Sequence, residues 1–266
     1  MKIALCLYGM APMDCLKHAS HFIKQDITRN HWLKYIIEPN NMDVFIHCWS
    51  PKYQDEYLND YKPKDYLFEQ EKKWPCRKGF ERIIDYNNSL DEIMQSVHYS
   101  LKQSVDMKTK YEIKNNFKYD FVMIARMDIV WFKEQKIENY NLDKSYIYTS
   151  PWNYAFDIHK NMDTPYIFDH YMITGTDMAN TISNIFYSID KYVQYGTPQV
   201  IKYFYFQDIN IIDKIKPLFY RFHDHILFRW LYYPEKYLFR KGKPLTDEWE
   251  GLLEQRENLL KQILDY

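Results

Sequence analysis

Apolar residues along this chain follow two rhythms, short unbroken runs and longer stretches at helical spacing. Residues 2–8 (KIALCLY) are a brief apolar run closed by Gly9 and Pro12, the pattern of a strand buried on both faces. A helical stretch follows and is expected to end near Ile37, ahead of Pro39. MDVFIHCW (42–49) is a second apolar run, rich in β-branched and aromatic residues and stopped by Ser50-Pro51. DYLFEQ (65–70) predicts a third strand. Over 89–116 the period changes: Leu90, Ile93, Met94, Val97, Leu101 and Val105 recur at helical spacing, and Ser89 with Glu92 has the spacing of a capping box. Strand character returns in YDFVMIARMDIVWF (119–132), then in YIYTS (146–150) and YMITG (171–175). Helices are expected over 176–192 and 207–215.

This strand–helix–strand alternation argues for an α/β sandwich around a mostly parallel sheet. No repeat and no Gly/Ser or Pro-rich linker divides the chain. Residues 246–266 form an amphipathic helical extension: Thr246 can cap it, Asp247 and Glu248 suit its first turn, and Trp249, Leu252, Leu253, Leu260, Ile263 and Leu264 make its apolar face. Packing of that face on the domain takes precedence over a homodimer contact. Open α/β sheets bind ligands at the carboxyl ends of their strands, which directs attention to the positions after Leu7, after Trp49 and around Asp128.

Composition narrows the classes. With 46% hydrophobic residues in 266 positions, the chain can bury a real core and is not a disordered polymer. A formal charge of −1 offers no global field for nucleic acid. Cys6, Cys15, Cys48 and Cys76 are too few and scattered for a disulfide scaffold, which favours a reducing compartment and a cytoplasmic location. No run approaches a membrane span. Six glycines leave no GxGxxG and no GxxxxGK[ST], so dinucleotide and P-loop chemistry lose their main support.

The most informative segment is Arg126-Met127-Asp128. An apolar strand ending in Arg and Asp two apart sets both side chains on one face, where burial is costly unless they pair or bind something. A salt bridge at the sheet end is one account. The other is that Asp128 holds a divalent metal while Arg126 faces phosphate, since Mg²⁺ and Mn²⁺ favour carboxylate oxygen and bridge to substrate phosphates.

Taken in order over about residues 1–220, IALCLYG, DVFIHCW, a long helix with HYSLK, NNFKYDFVMIARMDIVWF and FDHYMITGT resemble glycosyltransferases of the A-type fold, in particular small enzymes of bacterial surface polysaccharides and large DNA viruses. The resemblance implies an α/β/α sandwich in one catalytic domain over 1–245, with a nucleotide-sugar half at 1–132 and an acceptor half at 133–245. It implies a UDP- or GDP-linked sugar donor, a glycan acceptor and Mn²⁺ or Mg²⁺. In relatives a strand ending in R-x-D or D-x-D places an acidic group on the donor diphosphate and its metal; here Arg126 occupies the first slot of that pair.

Carried over residue by residue, Leu7, Tyr8 and Gly9 match the loop that holds base and ribose. Gly9 would admit close backbone approach, and Tyr8 would stack on the base. His47 and Trp49 would wall the donor site. Asp169, in FDHYMITG, is the first candidate to accept the proton of an acceptor hydroxyl. Asp208, in YFQDINII, is the second, although capping a helix start is the commoner role for such an Asp. His223 and His225 would share a strand face and could join Asp128 as metal ligands, without the fourth ligand of a zinc site. Trp152, Tyr154, Phe156 and Tyr171 could stack on acceptor sugar rings, or equally fill the core. Residues 225–243 mix aromatics with Arg229, Lys236, Arg240, Lys241 and Lys243; a solvated basic face is the simpler account, peripheral contact with a membrane or lipid-linked acceptor the other. Two alternatives compete with a transferase: a non-catalytic carbohydrate-binding or assembly protein, and a nucleotidyltransferase, whose glycine-rich basic loop LYGMAPMD lacks.

Overall fold

The computed structural model describes residues 1–11, 27–74, 89–150, 167, 169–192, 195, 197–219 and 224–227. Among these, nine strands occur: β1 (Ile3–Gly9), β2 (Asp43–Cys48), β3 (Asp65–Phe68), β4 (Phe121–Arg126), β5 (Ile129–Trp131), β6 (Ile147–Thr149), β7 (Tyr171–Thr174), β8 (Ile215–Pro217) and β9 (His225–Leu227). Seven build one sheet in the order β3-β2-β1-β4-β7-β6-β8, while β5 and β9 pair antiparallel in a separate ribbon. Strands β3, β2, β1 and β4 are parallel. Strand β7 lies antiparallel between β4 and β6, and β8 is parallel to β6. The sheet is thus mostly parallel with a single reversed strand, β7.

Both faces of the sheet are covered, which is why its central strands read as unbroken apolar runs rather than alternating ones. On one face Leu5, Leu7, Ile46, Met123 and Ile173 pack against Trp32 of α1 (Ile27–Trp32) and Tyr57 and Tyr61 of α3 (Gln54–Tyr61). On the other, Cys6, Phe45, Val122 and Met172 meet α4 (Ser89–Lys114), α5 (Thr176–Ser183) and α7 (Pro198–Asp208). The α/β/α layering expected from the strand–helix alternation is therefore the observed one.

Helix α4 shows how the layers are tied. Its buried stripe is Met94, His98, Leu101, Val105, Lys108 and Glu112, at successive steps of three and four residues. The polar end of the stripe is satisfied internally: Lys108 Nζ donates to Glu112 Oε2 (2.8 Å), Thr176 Oγ1 (2.6 Å) and Asn180 Oδ1 (2.8 Å), joining α4 to α5. Ile93, expected on the apolar face, is 48% exposed because it lies one position off this stripe.

Three further expectations are corrected. The first helix does not end near Ile37. Five π-helical residues, Leu33–Ile37, carry it into α2 (Glu38–Asn40), with the Glu38 N–H donating to Leu33 O. Pro39 lies inside that last short segment, and Asn41 (φ 47°) ends it in the left-handed region. The strand over 119–132 is interrupted after Arg126: Met127 and Asp128 form a turn, and β5 leaves the sheet to pair with β9. The helix expected over 207–215 lies at Pro198–Asp208 instead. Thr197 caps it, Pro198 opens it, and Asn210 (φ 57°) ends it in the left-handed region, so 215–217 is free to form β8. The span 176–192 is α5 followed by α6 (Ile185–Ser188), broken at Asn184. Residues 246–266 lie outside the described residues. No helix among the described residues is long and apolar enough to cross a membrane.

Candidate functional site

Strands β1, β2, β4 and β6 end at one edge of the sheet. Because β7 is reversed, it begins at that edge, and Asp169 and His170 arrive there from the opposite chain direction. The Arg126 N–H donates to His170 O (2.9 Å), locking the two strand ends together.

The Arg126 guanidinium lies between two carboxylates. Its Nε donates to Asp128 Oδ1 (2.8 Å) and its Nη2 to Asp128 Oδ2 (2.7 Å), a bidentate fork, while Nη1 reaches Asp169 Oδ2 at 3.5 Å. The arginine side chain is 17% exposed and that of Asp128 4%, so the cation is the accessible member of the cluster. Burial opposes the guanidinium charge, but Asp128 and then Asp169 more than offset it and hold the pKa well above its ordinary value. The Tyr8 hydroxyl donates to Asp169 O (3.0 Å). Burial, then the Asp169 charge, pushes the Tyr8 phenol upward, so it stays protonated as a donor. Lys202, in the second turn of α7, completes the cluster. It is wholly enclosed, and among the described residues its Nζ has no hydrogen-bond partner. Burial, augmented by Arg126 and opposed by Asp169, pulls its pKa down to about 8.

Next to this cluster, Gly9 ends β1 with φ +114°, a conformation that favours glycine, and among the described residues nothing lies within 4 Å of where a Cβ would stand. Its N–H donates to Ser100 Oγ (2.8 Å), and its carbonyl accepts the Trp49 N–H (3.0 Å). His47 Nδ1 is 2.7 Å from the same Ser100 Oγ, and Nε2 is 3.1 Å from Glu69 Oε1. Burial is the main cause that pulls the His47 pKa down to about 4, against the pull of Glu69, so the imidazole is neutral at pH 7. The network then assigns Nε2–H as donor to Glu69 and Nδ1 as acceptor from Ser100. Trp49 stands edge-on to His47 (4.7 Å between centroids) and stacks on Tyr99 (5.5 Å).

The structure thus gathers Tyr8, Arg126, Asp128 and Asp169 in one cluster, with Gly9, His47 and Trp49 at the adjoining strand ends. It does not gather the rest. Leu7 is wholly buried in the core on the α1 face, so its side chain cannot line a loop. Tyr8 is buried with its hydroxyl engaged and offers no ring face for a base. Asp208 ends α7 rather than starting a helix; it is exposed and accepts the Tyr192 hydroxyl (2.7 Å). At a rise of about 1.5 Å per residue it stands about 9 Å along the axis from Lys202. Tyr171 is a core residue: its hydroxyl donates to Leu218 O and Phe219 O, and its ring packs on Trp131 and Phe219. His225 is buried on the β5–β9 ribbon, with Nε2 3.1 Å from His170 Nδ1 and its ring against Trp131. Trp152, Tyr154, Phe156 and His223 lie outside the described residues.

A divalent cation does not fit this arrangement of described residues. Both Asp128 oxygens are taken by the Arg126 fork, and among the described residues no three His, Cys, Asp or Glu side chains form a group that could hold a metal ion.

Two contributors escaped sequence reasoning. Lys202 is the single charge inside VIKYFYF, a signal of an ammonium facing inward, and Ser100 is the hydroxyl within HYSLK on α4. No protein-family model matches the chain, and no curated protein sequence matches it. Among solved structures it is similar to the glycosyltransferase GlyE of Streptococcus pneumoniae TIGR4, with 10% sequence identity and a TM-score of 0.38 over 82% of this chain and 46% of that one. The chain therefore spans about half the length of that neighbour.

Proposed function

We propose that the chain is a nucleotide-sugar-dependent glycosyltransferase acting on a hydroxyl of a glycan acceptor. The observation that carries this reading is the Arg126–Asp128–Asp169 cluster at the carboxyl edge of the sheet, beside a glycine with open space in front of it. Such an edge is where open α/β sheets take ligands, and a buried acid pair clamped by a partly accessible arginine suits proton removal next to a departing anion. Asp169 is the base: it meets the end of the guanidinium at 3.5 Å through Nη1, whereas Asp128 takes the bidentate fork. Asp128 fixes the guanidinium in place, and Tyr8 fixes the backbone carrying Asp169. The Gly9 turn would let the donor approach the main chain.

The test is a hydrolysis and transfer screen of UDP- and GDP-sugars with the wild type, Asp169→Asn and Asp128→Asn. The expected result is turnover of at least one donor, with transfer lost in Asp169→Asn while the fold is kept. Wild-type inactivity toward every donor, or full activity in both variants, overturns the assignment.

A further inference from the structure

Among the described residues two lysines are wholly enclosed, Lys108 and Lys202, and the fold treats them in opposite ways. The Lys108 ammonium has three acceptors at 2.6–2.8 Å, one for each of its protons. The Lys202 Nζ has none among the described residues. An enclosed ammonium without an acceptor destabilises the fold, and a methionine or leucine at that position would remove that cost. Its placement is defined. The Ile167 N–H donates to Gln199 O (3.3 Å), tying the first turn of α7 to the chain that leads into β7. Lys202, three residues on, occupies the same side of the helix, within electrostatic reach of Asp169 and Arg126.

Resting on the transferase reading, we propose that Arg126 receives the donor diphosphate with the enclosed Lys202 behind it as a second positive charge, and with no divalent cation between protein and phosphate. Arg126 supplies the accessible planar donor, and Lys202 supplies a point charge that has no acceptor of its own. The two cations face two carboxylates, so the resting cluster is close to neutral. During transfer the bond between acceptor oxygen and anomeric carbon forms as the bond between anomeric carbon and phosphate oxygen breaks. The acceptor proton passes to Asp169, and the electron pair leaves with the diphosphate. Protonation of Asp169 removes one negative charge from the cluster, leaving it cationic as the diphosphate gains charge.

The experiment is calorimetric titration of UDP and of GDP into the full chain, in excess EDTA and again with Mn²⁺, for wild type, Lys202→Met and Lys202→Arg. The wild type is expected to bind one nucleotide equally well in EDTA. Lys202→Met should lose about tenfold or more in affinity, unrestored by Mn²⁺, and Lys202→Arg should keep part of it. Thermal unfolding of Lys202→Met should be unchanged or raised, which separates lost binding from lost fold. Wild-type binding that appears only with Mn²⁺, or undiminished binding by Lys202→Met in EDTA, overturns this proposal and leaves the transferase reading standing. The wild-type titration decides the matter even where a variant fails to fold. Wild-type binding of neither nucleotide under either condition overturns both.

Discussion

Replacing Lys108 with methionine should destabilise the protein by about 3–5 kcal/mol, the cost of breaking a buried ion pair from one side. Methionine keeps most of the apolar stem, so packing changes little and the loss is electrostatic. Three hydrogen bonds vanish together, and the enclosed Glu112 carboxylate keeps only the Tyr119 N–H (2.8 Å) and the Thr176 hydroxyl (2.7 Å). For a chain of this size that corresponds to a fall in Tm of about 6–20 °C. Changing Glu112 to glutamine in the same chain should recover more than half of the loss, since an amide left by itself is cheaper to bury than a carboxylate. Urea unfolding followed by circular dichroism at pH 7 measures both effects. A single variant within about 2 °C of wild type, or a double variant no more stable than the single one, would refute the reasoning. The calculation also defines the contrast with Lys202, where an equally enclosed ammonium has no acceptor among the described residues to lose.

Two other outcomes follow from the geometry at the strand ends. The His47 pKa lies near 4 in the fold against 6.5 for the free side chain, so as pH falls below 6.5 the unfolded chain takes the proton first; stability present above that value should decline by about 2 kcal/mol by pH 5. His47→Gln should flatten that part of the urea-midpoint profile, and an unaltered slope would show that another group causes it. Gly9→Ala should cost roughly 1–2 kcal/mol through backbone strain alone, because φ is +114° and the added methyl meets no atom within 4 Å. An unchanged unfolding midpoint would mean that the turn relaxes freely.

The sheet was legible because its strands are buried on both faces: IALCLYG, DVFIHC and FVMIAR carry their assignment in unbroken apolar composition. The long helix was legible from its period, although His98, Lys108 and Glu112 lie on its buried stripe and no hydrophobicity rule selects them. Helix α7 was displaced because its start signal, Thr197-Pro198, was outweighed by the later QDINII pattern. Within the candidate site, Arg126 and Asp128 stood out as charges ending an apolar strand. Their relation to Asp169 did not, since it depends on β7 being inserted beside β4 in reverse, a tertiary arrangement with no local trace. The burial of Tyr8 and Tyr171 was equally hidden: in a chain with 26 tyrosines, a ring that stacks on ligands and a ring that fills the core look alike.

The reversal of β7 has a consequence for how such a protein can diversify. Strand β6 ends and β7 begins at the same edge of the sheet, so the excursion between them starts and finishes at the edge that carries the candidate site. Changes of length or sequence in that excursion leave the pairing of β1, β2 and β4 untouched. Asp169 remains anchored from outside that excursion, by Tyr8 and Arg126. Selection therefore has one connection to rewrite, while the Arg126–Asp128–Asp169 cluster is inherited unchanged.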